Sequence, residues 1–175
     1  MFHKNFFHSL FAAVLFISGS TALALPGLSV GVMGGANLSM PSADLAAGAT
    51  MSGGVSYSAG ATVEAGPLEV SAIYSRYSLK AGLLGIETTT ASKYLELPVL
   101  YRLGVGLASV GVGGFYGLCL DSGATGDDHN YGAVASVRVN IPGGFFADGR
   151  FNLGLKDLAG SKLSSAAVFL GFNFL

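Results

Sequence analysis

Apolar and polar positions alternate with period two along most of this chain. In the stretch Ser92–Leu103, residues Leu95, Leu97, Val99, Tyr101 and Leu103 share one face. Tyr94, Glu96, Pro98, Leu100 and Arg102 share the other. Alternation marks a strand, whereas a helix repeats its apolar positions every three to four residues. The apolar row is unbroken and has an aromatic near its end, which suits a face against lipid with the tyrosine at the interface. The same pattern predicts eight strands: Leu28–Leu38, Gly54–Ala65, Leu68–Leu79, Ser92–Leu103, Gly106–Leu118, Asn130–Asn140, Phe145–Leu155 and Leu163–Leu175. Ile73 interrupts an otherwise polar row in the third. Pro98 cannot donate to a strand ladder, so a bulge or a locally missing bond is expected there.

Eight is an even number, and each stretch is near the ~9–11 residues that cross a bilayer at a tilt. The connections alternate in length. Tight turns at Gly66-Pro67, near Gly104 and at Ile141-Pro142-Gly143-Gly144 follow the second, fourth and sixth strands. Longer polar connections, Ser39–Gly53, Lys80–Thr90, Cys119–His129 and Lys156–Lys162, follow the others. Outer-membrane barrels have this asymmetry, with short periplasmic turns and longer external loops. Both chain ends are then expected on the periplasmic side. The predicted fold is all-β, an eight-stranded antiparallel up-and-down transmembrane β-barrel. A soluble ligand-binding barrel of lipocalin type would show the reverse polarity, apolar inside and polar outside.

Composition sharpens this reading. Hydrophobic residues make up 51% of the chain and charged residues 11%, against roughly 25% charged in soluble domains. Yet beyond the N-terminus no apolar run approaches the ~20 residues of a membrane helix. A net charge of −1 provides no basic footprint for nucleic acid. Cys119 is the single cysteine, which excludes an intramolecular disulfide and a multi-cysteine metal site. At the N-terminus, Lys4, the apolar stretch Leu10–Ile17 and the ending Ala22-Leu23-Ala24 follow the order of a secretory signal peptide. Residues 1–24 are expected to be removed, leaving 25–175 as one barrel domain.

Tyr94-Leu95-Glu96-Leu97-Pro98-Val99-Leu100-Tyr101 resembles the Tyr-Leu-Glu-Ile-Pro-Leu-Leu strand of the PorT-like outer-membrane β-barrel family. In pattern, Leu28–Leu175 is similar to the small OmpA- and OmpX-like eight-stranded barrels of Gram-negative bacteria. The end, Val168 to Leu175, resembles the C-terminal strand signal read by the barrel-insertion machinery, with Phe174 penultimate and Leu175 last. The resemblance implies a cell outer-membrane location, with outer-membrane lipid and the insertion machinery as partners. It implies no single shared activity.

The inward charges are the candidate site. Glu64 and Glu69 flank Gly66-Pro67, so a two-residue turn sets them opposite each other on the inner face. Like charges across a ladder are destabilising and call for a cation. Arg102 and Arg138 fall near the same end, with Asp148 across the next hairpin from Arg138. Glu96 and Arg150 fall nearer the middle. The expectation is an interior ion-pair network of Glu64, Glu69, Glu96, Arg102, Arg138, Asp148 and Arg150, in a lumen just wide enough for side chains to fill. Such a network makes either a polar plug or, alternatively, a narrow gated pore for small solutes or ions.

Other chemistry has little to rest on. His129 is the one histidine remaining after signal removal, with Ser122, Asp127 and Asp128 nearby, but a catalytic triad needs a rigid geometry that a loop does not provide. Asp121, Asp127 and Asp128 lack the ligand spacing of a calcium loop. No catalytic, cofactor-binding or metal residue is assigned, and no cofactor is expected. Tyr57, Tyr74, Tyr101, Tyr116 and Tyr131 share the outward parity near strand ends, as interface aromatics would. The expected function is a structural or surface-interaction role without enzyme activity. Ser39–Gly53 and Cys119–His129 are the loops placed to meet an external partner, whose identity the sequence does not supply.

Overall fold

The computed structural model describes residues 27–43, 49–83, 86–121, 129–158 and 161–174. The expected signal segment 1–24, together with Ser122, Asp127 and Asp128, lies outside them. Among the described residues, nine strands run in chain order: β1 Leu28–Ala43, β2 Ala49–Ala65, β3 Leu68–Leu83, β4 Ile86–Val105, β5 Ala108–Cys119, β6 His129–Ile141, β7 Phe145–Gly154, the two-residue β8 Asp157–Leu158, and β9 Ser161–Asn173. Each long strand pairs antiparallel with its neighbour, and β9 returns to pair with β1 from Gly31↔Asn173 to Ala43↔Ser161. That pairing closes an eight-stranded barrel, with β8 as a short hairpin arm on β9. A closed ladder leaves no edge within the wall.

The barrel is inside-out relative to a soluble domain. The wall carries the alternation read from the sequence. On β4, Glu96, Pro98, Leu100 and Arg102 are buried while Leu97, Val99, Tyr101 and Leu103 are exposed. Tyr57, Tyr101, Tyr116 and Tyr131 are exposed on the outer face. Inside, polar side chains alternate with three apolar clusters. Ile73 belongs to the one formed with Met33, Phe146, Ala167 and Phe169, which accounts for its break in the polar row of β3. Leu100, Phe115 and Val134 form a second. Tyr77, Tyr94 and Leu163 form a third, with Cys119 packed against it. The half-buried thiol of Cys119 is therefore a packing group.

Two expectations are corrected, and a third is met in one of its two forms. Most of the predicted connections Ser39–Gly53 and Lys80–Thr90 is strand, because β1 runs to Ala43, β2 starts at Ala49, β3 runs to Leu83 and β4 starts at Ile86. At Pro98 the expected local gap in the ladder is present, without a bulge. Partners in the β3–β4 ladder hold one register from Leu68↔Tyr101 to Leu83↔Ile86, and only the pairings opposite Leu97 and Pro98 are missing. The bulge lies instead in β2, between Gly54 and Ser58 against β3. Gly106 belongs to a turn, so β5 begins two residues later than predicted.

The turn end is built from glycines in left-handed conformations. Gly144 has φ 87°, and a Cβ there would lie 2.7 Å from the carbonyl oxygen of Asn173. The Gly144 carbonyl also accepts the Asn173 amide at 2.8 Å, tying the turn to β9. Gly144→Ala is expected to cost about 1–2 kcal/mol, read as a lower urea midpoint for unfolding from detergent micelles.

Candidate functional site

Tight turns and strand parity bring the inward charges to one level of the lumen. The β2–β3 register pairs Glu64 directly with Glu69. Their like charges are answered from across the barrel by arginines on β4, β6 and β7. Glu69 is fully buried and touches all three: Arg102 Nε donates to Oε2, Arg138 Nη2 lies 3.0 Å from Oε2, and Arg150 Nη2 donates to Oε1 at 2.6 Å. Asp148 is equally buried and is the second hub. Its Oδ2 accepts from Arg102 Nη2 at 2.7 Å, Arg138 Nη2 at 2.9 Å and Arg150 Nη2 at 3.0 Å. Ser136 donates to Oδ1 at 2.5 Å, and Ser71 donates to the Oε1 of Glu69 at 2.8 Å. Glu64, partly exposed, pairs with Arg138 Nη1. Six charges thus share one lattice.

Two aromatic rings hold the guanidinium groups in place. Arg138 stacks over Phe146 with its Cζ 4.1 Å from the ring centroid, and Arg150 lies over Phe169 at 5.6 Å. Planar guanidinium groups combine such stacking with forked donation to carboxylates, which lysine cannot do. Burying charge is costly unless every charge is paired and hydrogen-bonded, and Glu64, Glu69 and Asp148 each meet at least one arginine.

Glu96 stands apart from that lattice. The salt bridges inside the lumen are made by Glu64, Glu69 and Asp148 among the described residues. Glu96 instead accepts from Tyr77 Oη and, at 3.0 Å, from Ser75 Oγ. Behind Ser75, Ser58 Oγ donates to Ser75 Oγ at 2.9 Å, and Asn37 Nδ2 donates to Ser58 Oγ at 2.5 Å. Each donor in the series points toward the carboxylate. Parity placed Glu96 inside, but the sequence did not indicate Tyr77 as its partner. That pairing joins β3 to β4, and the 3.2 Å contact of Tyr77 Oη with Ser165 Oγ carries it across to β9. A cavity of about 10 Å³ lies between Glu96 and Arg150, walled by Asn37, Ser75 and Asn152; that is room for about one water.

The remaining candidate residues lie at the loop end. His129 opens β6, stacked on Tyr116 with ring centroids 5.8 Å apart, and its Nε2 lies 3.1 Å from Lys156 Nζ. Asp121 accepts from the backbone N of Lys93 at 2.9 Å and from its Nζ at 3.0 Å. Those hydrogen bonds hold its carboxyl below the usual carboxylate range. The described residues contain no cluster of three metal-ligating acid, histidine or cysteine side chains.

The closed antiparallel wall has counterparts among solved structures. Neisserial surface protein A (NspA) superposes with a TM-score of 0.59 at 16% identity, covering 84% of this chain and 97% of that one. The outer membrane protein OprG from Pseudomonas aeruginosa gives 0.53 at 11% identity, covering 85% of this chain and 96% of that one. Ail, the attachment invasion locus protein of Yersinia pestis, gives 0.53 at 14% identity, covering 85% of this chain and 99% of that one. The fold is that of the small outer-membrane barrels. At these identities the likeness concerns the fold alone. No protein-family model matches the chain, and no curated protein matches it. The resemblance to PorT-like proteins therefore stays with the Tyr94–Tyr101 strand.

Proposed function

We propose that this protein is a sealed outer-membrane barrel that displays the raised part of its wall at the cell surface, without enzymatic turnover. The observation that carries the reading is the lumen: Arg102, Arg138, Arg150, Glu69 and Asp148 are each at most 7% exposed and cross-link strands on opposite sides of the barrel. An ion conducted along the axis would have to break several charge-assisted bonds at once. The apolar exterior supports lipid as its solvent. Tight turns at the end holding both chain termini support a periplasmic position for that end, and the C-terminal strand supports delivery by the barrel-insertion machinery.

The opposite end supports the display role. β2 continues from Tyr57 to Ala49, roughly 25 Å at the usual strand rise. β3 and β4 accompany it as far as Leu83↔Ile86. β5 leaves β4 at Tyr94↔Cys119, so the threonine-rich stretch above Lys93 has no ladder partner on that side among the described residues. A raised strand edge supplies backbone donors and acceptors to an incoming extended segment.

Planar-bilayer recording on the purified barrel tests the seal. Silence or rare, brief openings are expected. Large, stable conductance would replace this reading with the gated pore. Mobility in cold and heated SDS, together with membrane fractionation, tests location separately. A heat-dependent shift in the outer-membrane fraction is expected, and recovery in the soluble fraction would end the membrane reading.

A further inference from the structure

Charge on the outer wall begins at one level, and the charges that begin there are basic. From the turn end upward, the outward rows of the long strands carry no charged side chain until Arg76 on β3, Lys93 on β4 and Lys162 on β9 among the described residues. Arg76 and Lys93 are directly opposite each other across the β3–β4 ladder. Like charges in that position are destabilising unless an anion stands between or beside them. Asp121 answers Lys93. Arg76 makes no ion pair among the described residues, so the patch holds two cations against one carboxylate.

Two tyrosines lie just below these cations. Tyr74 is two residues from Arg76 on the same outward row and pairs with Leu95. Tyr57, in the β2 bulge, lies against it with ring centroids 6.3 Å apart. Beneath them the wall is apolar, with Leu97, Val99 and Val70 exposed. Interfacial tyrosines mark the depth of lipid headgroups. A side chain two residues further out lies about 7 Å higher along the strand, at the depth of the phosphates. Arginine's forked donors match phosphate oxygens, and lysine adds a point charge.

We infer that Arg76 and Lys93, with the hydroxyls of Tyr57 and Tyr74, form a binding site for the phosphate of an outer-leaflet lipid. The site rests on the outer-membrane reading above. The acyl chains lie along the apolar wall below the tyrosines, and the phosphate bridges the two opposed cations. The wall selects a lipid over a free anion, because a free anion gains nothing from the surface beneath.

The test uses the full barrel in phosphate-free detergent. A diphosphorylated glycolipid, the same glycolipid without its phosphates, and inorganic phosphate are each added, and lipid retained per barrel is read by native mass spectrometry. Retention of the phosphorylated lipid alone is expected. Retention should be weaker by about tenfold or more in the R76Q/K93Q double variant, as for loss of a charge-assisted bond. Inorganic phosphate at millimolar concentration should leave it unchanged. Asp121→Asn removes the competing carboxylate and should strengthen retention. Equal retention of both lipids, or undiminished retention by the double variant, would overturn the site. Full competition by inorganic phosphate would reduce it to a free-anion site. The cold-SDS shift is run on every variant, so that loss of the barrel, or of the membrane reading itself, is seen independently of lipid retention.

Discussion

Asp148→Asn is expected to remove about 3–5 kcal/mol of stability, the usual cost of taking one partner from a buried ion pair. The reason lies in the count of charges. Three guanidinium groups converge on two fully buried carboxylates, Glu69 and Asp148. Neutralising Asp148 leaves Glu69 to answer all three, with Glu64 reaching only Arg138. An asparagine keeps the shape and can still accept one hydrogen bond, so the loss is electrostatic and not a cavity effect. Against a typical total of about 5–15 kcal/mol, that change should move the urea midpoint and the temperature of the SDS mobility shift by amounts that need no averaging to see. Adding Arg102→Gln to Asp148→Asn restores the balance and should recover part of the loss, a coupling readable in a double-mutant cycle. The bilayer recording should change as well, with more frequent openings in the single variant than in the double. A midpoint shift below about 1 kcal/mol would mean that water, not the carboxylate, balances the arginines, and the sealed-lumen reading would fall with it.

The sequence disclosed the wall better than it disclosed the lumen. Period-two contrast is strong wherever one face meets lipid and the other meets polar side chains, as from Leu95 to Leu103, and there parity assigned each residue its side. Contrast fades where both faces leave the lipid. Glu87-Thr88-Thr89-Thr90 reads as a loop for that reason, yet it is strand, because β3 continues beside it. The Glu64–Glu69 pairing was legible because a two-residue turn fixes the register of its hairpin. The partners of these carboxylates were not. Which arginine on β4, β6 or β7 reaches across a lumen depends on strand tilt and stagger, and the β1–β9 closure that completes the ring is a long-range pairing with no local signal. Tyr77 shows the same limit. Its inward parity was readable, but its approach to Glu96 and Ser165 follows from the barrel's curvature. Parity also set Phe146 inward, but not its use: Phe146 and Phe169 lie against arginines.

Those rings lead to the second large effect, at a residue that carries no side chain. Gly171 on β9 is paired with Phe146 on β7, and a Cβ at Gly171 would clash with the edge of the Phe146 ring. The same ring carries the Arg138 guanidinium. Phe146 therefore links Gly171 to Arg138, and displacing the ring is expected to disturb the contacts of Arg138 with Glu64, Glu69 and Asp148. Gly171→Val should cost about 3 kcal/mol, the upper range for overpacking a filled interior, and it should weaken the ion lattice as well as the packing. Gly149 on β7 supplies the control. It is exposed on the outer wall, its added Cβ would meet nothing closer than the Val137 carbonyl oxygen at 3.9 Å, and it is paired with Val137 and Val168. Gly149→Val should stay within about 0.5 kcal/mol of the parent. The two substitutions are chemically identical and differ in the face of the wall they occupy. Urea midpoints in the same detergent compare them directly. Equal costs would mean that the lumen yields to an added side chain as readily as lipid does, and the link proposed for Gly171, Phe146 and Arg138 would not hold.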